Sequence, residues 1–443
     1  MVACTSRLCA GGVSGIEAVG RTLPAISVHA VTLATSEERW MIPMAKPLVG
    51  EEEIQEAVKV LRSGWVSQGP CVASFEKAFA ASVGAAYGCA VSSCTAALHL
   101  ALIVAGVRPG DQVITVSHSF IATANSIRYC GAIPVFIDIS PDTLNIDPAQ
   151  IEAAIGERTR AILCAHQLGM PCDVPRIKGI ASRYNLPVIE DAACATGSEL
   201  RIGDSWERIG RPHGDIACFS FHPRKVITTG EGGMLTTNNG EWDSRIRQLR
   251  QHCMSVPDTV RHGASEVIFE EYRDVGFNYR MTDIQAAVGC AQLKRLPEIV
   301  EIRRKLASRY RELLSEMASL AVQAEPCWAR SNWQSFCVRL PGGCDQRKVM
   351  QRMLDSGVAT RRGVMCAHRE AAYPSSTWKC GPDPRGHECT EGHCQRLRHS
   401  EEAQDHTLML PFYPQMTLDE QDRVVDSLRE ALRVGYSGMR SYV

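Results

Sequence analysis

Lys225 stands in "FSFHPRKVITTGEGG", Phe219 to Gly233, between an apolar run and a loop with three glycines. A lysine amine becomes a nucleophile when burial or a nearby cation lowers its pKa. Glycines let backbone approach a ligand without side-chain clash. Such a lysine can reach a cofactor aldehyde and form an imine; the ordinary alternative is a solvated loop lysine. Asp191 closes "LPVIED". A carboxylate there can pair with a cationic ring nitrogen and keep a pyridinium protonated, so that the ring accepts electrons. It can equally cap a helix or join a salt bridge. Strand alternation points Glu190 and Asp191 to opposite faces. In "SSCTAALHL", Ser92, Ser93 and Thr95 sit where a strand passes into a helix. Free amides and hydroxyls at that place seat a phosphate, or the hydroxyls merely cap the helix. Ser220 adds a hydroxyl, and Phe120, in "SHSFIAT", can stack on an aromatic ring or belong to the core.

Each feature alone is ambiguous. Together they supply a phosphate seat, a ring partner, a stacking face and an imine-forming amine, the set that pyridoxal 5′-phosphate requires.

These residues work together only if the fold brings strand ends to one edge, where open α/β sheets bind ligands. The pattern predicts that. "GCAVSS", "DQVITV", "IPVFIDI", "RAILCAH", "LPVIED", "DIACFSF" and "GGMLTTN" are short apolar strands, most of them alternating with helical segments. A mostly parallel sheet flanked by helices follows. After Met281 the chain turns helical, with Thr282 and Gln285 as a capping box and Pro297 as an interruption, and bridges to a smaller C-terminal α/β domain. The expected organisation is an N-terminal extension over 1–40, a large domain over 41–295, and a small domain over 296–443 with an irregular insertion at about 374–400.

The chain has 443 residues, 45% of them apolar, and a formal net charge of −1. That balance argues against a nucleic-acid surface, and no apolar run reaches the roughly 18 residues of a membrane span. Nineteen scattered cysteines in a long chain do not make a disulfide framework; a reduced, cytoplasmic setting is expected.

The stretches "SGWVSQGPCVASFEKAFA", "SSCTAALHLAL", "HQLGMPCD", "VIEDAACATGS", "SFHPRKVITTGEGG", "GFNYRMTDIQAAVG" and "LMLPFYPQMT" occur in an order that resembles the DegT/DnrJ/EryC1/StrS family of sugar aminotransferases, from about Ile42 onward. The resemblance implies fold-type I, pyridoxal 5′-phosphate as cofactor, an amino-acid donor such as glutamate, a nucleotide-linked ketosugar as acceptor, and a homodimer with shared active sites. It makes Lys225 the Schiff-base lysine and Asp191 the partner of the pyridine nitrogen. Thr95 and Ser220, with the Cys94 and Thr95 amides, become phosphate ligands. Asn278 would reach the neighbouring subunit's phosphate, and Phe120 would cover the ring. Ser67, Gln68 and His368 fall in segments that face the nucleotide-sugar.

The chain departs from the family at three places. Cys94 replaces a small residue, Cys194 replaces the frequent Gln or His near the cofactor's phenolic oxygen, and Cys253 replaces a usual glycine. Two alternatives stand beside the transferase. The family's dehydratases carry histidine where this chain keeps Lys225, and a non-catalytic regulator would not need Lys225 and Asp191 together. In the insertion, Cys380, His387, Cys389, His393, Cys394 and His399 are zinc-ligand types, but their spacing is not a paired CxxC pattern. The expectation is an irregular loop without metal.

Overall fold

The computed structural model describes residues 41–256, 265–381, 389–390 and 392–436. The expected extension over 1–40 and part of the insertion lie outside them.

The central sheet is built from β1 (Tyr87–Val91), β2 (Gln112–Val116), β3 (Ile133–Ile137), β4 (Thr159–Ala165), β5 (Val188–Asp191), β8 (Ile216–Ser220) and β9 (Gly233–Thr237). A hairpin of β6 (Glu199–Ile202) and β7 (Ser205–Arg208) stands apart, paired with β11 (Ala329–Arg330). The hairpin escaped the sequence reading because its strands are four residues long and mostly polar.

The sheet order is β1-β9-β8-β5-β4-β2-β3-β14, with β14 (Lys379–Cys380) an edge strand from the insertion. β9 is antiparallel to both neighbours, and the other pairings are parallel. This is the mostly parallel, helix-flanked sheet the sequence predicts. Its interior strands are buried on both faces, which is why they read as continuous apolar runs.

Parallel strands put their carboxyl ends on one edge. Val91, Gly233 and Ser220 share one register row, and Asp191 pairs with Cys218 one strand further on. Strands lie about 4.8 Å apart, so the ends of β1, β8 and β5 open onto one concave edge.

Helix α2 (Pro70–Val83) is fixed behind this edge by aromatic packing. Phe79 meets Phe219 at 4.9 Å and Phe75 meets Phe221 at 5.3 Å between ring centroids. All four rings are fully buried. Because Phe219 and Phe221 flank Ser220, this cluster anchors the strand end that leads to Lys225; truncating any of the rings costs about 3–5 kcal/mol.

One helix runs from Asp283 to Leu314, with the Thr282–Gln285 capping box in place. Pro297 does not interrupt it. Packing on both sides of the proline holds the helix, with Leu296, Ile299 and Val300 all buried. The expected boundary between 295 and 296 therefore falls inside a continuous helix. Beyond it a second sheet, β10 (Ala321–Val322), β12 (Phe336–Arg339), β15 (Thr407–Leu410) and β13 (Arg361–Arg362), has its own core around Tyr310, Phe336, Leu408 and Leu428.

Candidate active site

Helix α3 (Cys94–Val104) starts at the end of β1. Ser93 is its N-cap, its Oγ accepting from the Ala96 amide at 3.1 Å. The capping alternative is thus realised by Ser93. The amides of Cys94 and Thr95, first in the helix, have no acceptor within it and face the sheet edge with the positive end of the helix dipole. Gly233 passes so close that a Cβ there would lie 2.5 Å from the Ser93 carbonyl oxygen and 2.7 Å from the Cys94 nitrogen. A glycine is therefore required to bring the β8–β9 loop against the helix start. Ser220 lies on the same register row, buried. Thr95 is half-buried.

Asp191, at the end of β5, is buried. Its Oδ2 accepts from Thr123 Oγ1 at 2.7 Å and its Oδ1 from the Ala193 amide at 3.2 Å. Cys94 Sγ lies 4.0 Å from Oδ1 and 3.5 Å from the Cys218 carbonyl. Burial, and then the Asp191 charge, hold the Cys94 thiol well above its ordinary pKa, so it stays neutral beside the carboxylate. Glu190 points the other way, as strand alternation requires, onto His166 Nε2 at 3.1 Å and the Gly214 amide at 2.8 Å. Two adjacent carboxylates thus have different duties: Glu190 is tied into the sheet, and Asp191 faces the edge.

Lys225 is half-buried, with Nζ 3.1 Å from Cys194 Sγ. It is not a solvated surface lysine. Its loop is held at several points: the Lys225 amide bonds the His222 carbonyl at 2.8 Å, the Thr229 amide bonds the Phe221 carbonyl at 3.0 Å, and Gln334 Nε2 bonds the Arg224 carbonyl. Burial pushes the ammonium down. Cys194, and with it Asp191, more than offset this and keep the pKa above the ordinary lysine range. The expectation of a lowered pKa is not met, because acidic neighbours outweigh burial; Lys225 must shed a proton before it can attack.

Cys194 is itself positioned. Asn332 Nδ2 bonds the carbonyls of Cys194 and Thr196 at 2.8 and 2.9 Å. Asn332 and Thr123 were missed by the sequence reading, since neither stands in a motif with a chemical signature.

Phe120 is 60% exposed, at the start of helix α4 (Ile121–Tyr129), one turn from Thr123. It is not a core phenylalanine. Asn278 is exposed on a segment that runs beside β1, where the Ser92 amide bonds the Tyr279 carbonyl at 2.8 Å. Ser67 is exposed and Gln68 half-buried, in the loop before α2. Asp283 fixes that loop: its carboxylate accepts from the amides of Gly69, Cys71 and Val72 at 2.7, 3.0 and 2.9 Å. His368 is 2% exposed, with Nδ1 on Ser117 Oγ at 2.6 Å and Nε2 on Glu401 at 2.9 Å. Burial lowers its pKa, against the pull of Glu401.

A profile of the DegT/DnrJ/EryC1/StrS aminotransferase family matches residues 47–429. The chain belongs to that family. It is 36% identical over 396 residues to the spore coat polysaccharide biosynthesis protein SpsC of Bacillus subtilis, an alignment spanning 88% of this chain and 97% of that one. It is 33% identical, at the same coverage of both chains, to the UDP-4-amino-4-deoxy-L-arabinose–oxoglutarate aminotransferase of Shewanella sediminis. The crystal structure of the aminotransferase TlmJ from Streptoalloteichus hindustanus superposes with a TM-score of 0.78 at 31% identity, covering 89% of this chain and 99% of that one. The fold is fold-type I.

Proposed function

We propose that the protein transfers an amino group from an amino acid, glutamate above all, to a nucleotide-linked ketosugar, with pyridoxal 5′-phosphate bound at Lys225. The observation that carries this reading is the placement of Lys225 Nζ 3.1 Å from Cys194, three residues beyond Asp191, at a sheet edge that also holds the start of α3. The residues fit the cofactor. The close passage of Gly233 leaves the Cys94 and Thr95 amides, with Thr95 and Ser220, as a phosphate seat. Asp191, held by Thr123, is the carboxylate for the ring nitrogen. When bound, the cofactor's protonated ring is an electron sink for the bond broken at the donor's Cα.

The chain's own groups do the rest. Asp191 keeps the ring nitrogen protonated, and Thr123 keeps Asp191 aimed. Lys225 Nζ takes the proton from the donor's Cα, and its fixed place makes that transfer effectively intramolecular. Cys194 Sγ sits where it biases the charge on Lys225. Phe120, exposed beside Thr123, covers the ring.

The acceptor is assigned by chemistry shared with relatives. The Shewanella relative's name pairs a UDP-linked 4-amino sugar with oxoglutarate, the keto acid left when glutamate gives up its amine. Ser67 and Gln68 would face the nucleotide-sugar; the buried Gln68 Oε1 has no hydrogen-bond partner among the described residues. His368, committed to Ser117 and Glu401, would hold its own segment in place rather than bind the sugar directly.

A homodimer is part of this reading. Val267, Phe269 and Val275 are 84%, 87% and 80% exposed, a few residues before Asn278. Apolar side chains so placed call for a covering surface, and a second copy would bring Asn278 to the partner's phosphate seat. A cytoplasmic location agrees with seventeen described cysteines all being free. Among the described residues no helix is long and apolar enough to cross a membrane.

The test is turnover of glutamate with nucleotide-linked 3-keto and 4-keto sugars. Amino-sugar and oxoglutarate in equal amounts support the reading. A deoxy-ketosugar without amine transfer would favour the dehydratase, and no product from any pair would favour a regulator.

A further inference from the structure

The insertion brings three cysteines together. Cys380 ends β14, and Cys389 and Cys394 follow nine and fourteen residues later. Their Sγ atoms all lie within 4.8 Å of one another, with Cys389 3.2 Å from Cys380 and 3.0 Å from Cys394. None is in a disulfide. We propose that Cys380, Cys389 and Cys394 bind a thiophilic divalent cation, zinc above all, as three ligands of a structural site.

The geometry suits zinc. A Zn–S bond of about 2.3 Å sets tetrahedral sulfurs about 3.8 Å apart; all three lie within 4.8 Å, and the two pairs at 3.2 and 3.0 Å would open by about 0.6–0.8 Å to take the ion. Thiols are weak hydrogen-bond partners, so packing alone gives them little reason to converge. Zinc takes thiolates, so binding displaces the thiol protons. The fourth position takes water or another donor. His393, whose Nδ1 is bonded to Glu401 at 2.6 Å, does not join the three sulfurs within 4.8 Å, and His387 lies outside the described residues.

The insertion has cause to need a metal. β14 is two residues long and pairs only with Val135 and Phe136 at the sheet edge. Between it and the turn at Gln395–Leu397 the described residues hold no helix or strand. Segments that cannot bury a core of their own are commonly stapled by metal or disulfide. Here the staple would join β14 to the segment carrying Cys394, whose amide bonds Glu401 at 2.6 Å. Cys394, Trp378 and Leu397 pack with Phe136 and with Ala124 of α4, and Tyr373 Oη bonds Asn125 at 2.7 Å. The metal would thus brace α4, which carries Phe120 and Thr123, without touching the reacting groups. The sequence spacing alone favoured a metal-free loop, because the ligands are separated by irregular lengths that match no paired motif.

The test is metal analysis of the purified full-length protein after dialysis against a weak chelator, with a Cys389→Ser/Cys394→Ser variant alongside. About one zinc per chain in the wild type, falling below about a tenth in the variant, is expected. Cobalt replacement should give an intense thiolate-to-metal charge-transfer band in the near ultraviolet. Absence of stoichiometric metal, metal retained by the variant, or a disulfide among the three cysteines in protein purified under reducing conditions would each overturn the proposal. The wild-type measurement stands even if the variant fails to fold, and none of these readouts depends on the aminotransferase reading.

Discussion

Thr123 Oγ1 donates to Asp191 Oδ2 at 2.7 Å, from a helix whose first turn also carries Phe120. One short contact therefore couples Asp191 to the helix that Phe120 precedes. Asp191→Asn should cut kcat about 10²–10³-fold while the fold survives, as loss of one preorganised charge in an active site does. Thr123→Val should cost on the order of tenfold in kcat, since a hydrogen bond to a charged group is worth about 1.5–3 kcal/mol. Steady-state kinetics with saturating cofactor separate these losses from weakened cofactor binding. Full activity in Asp191→Asn would remove the carboxylate from the scheme.

Cys194 raises the pKa of Lys225 against the opposing effect of burial. The sign follows directly: removing the thiol lowers the lysine pKa, so a larger fraction of the amine is neutral at a given pH. Cofactor-stripped Cys194→Ala protein should capture pyridoxal 5′-phosphate with a pH midpoint shifted below that of the wild type. Stopped-flow absorbance across pH reads this, and an unchanged or upward midpoint would show that Cys194 does not set the charge on Lys225.

Asp283 receives three amides at the start of α2 and is 2% exposed. Asp283→Ala leaves those donors without an acceptor and should destabilise the protein by about 2 kcal/mol or more. Because the same carboxylate fixes Gly69, next to Gln68, the sugar KM should rise more than kcat falls. Chemical denaturation and kinetics check the two parts.

Phe269 is 87% exposed. If a second copy covers it, Phe269→Glu should give a monomer by light scattering and lose most of the activity, because each site would lack the partner's Asn278. A monomeric wild type with full activity would contradict the shared site.

Much of this was legible in the sequence because buried parallel strands leave unbroken apolar runs, and those of β5 and β8 end on a polar residue. Asp191, Ser220 and Thr95 could be placed at strand or helix ends from that punctuation alone. What stayed hidden depends on tertiary contact. Thr123 matters only through a side chain 68 positions away, and Asn332 only through the carbonyls of Cys194 and Thr196. Pro297 misled because the local rule for proline is overridden by packing along the helix. The sign of the Lys225 shift could not be read either, since the competing neighbours, Cys194 and Asp191, come from the end of a different strand, β5.

The central claim is a covalent one, at one nitrogen. The most direct measurement is borohydride reduction of the wild-type protein loaded with pyridoxal 5′-phosphate, followed by peptide mapping. The account predicts a cofactor-labelled peptide containing Lys225, with the label and the yellow absorbance both absent in Lys225→Ala. A label on another lysine, or a saturated protein with no reducible attachment, would contradict it.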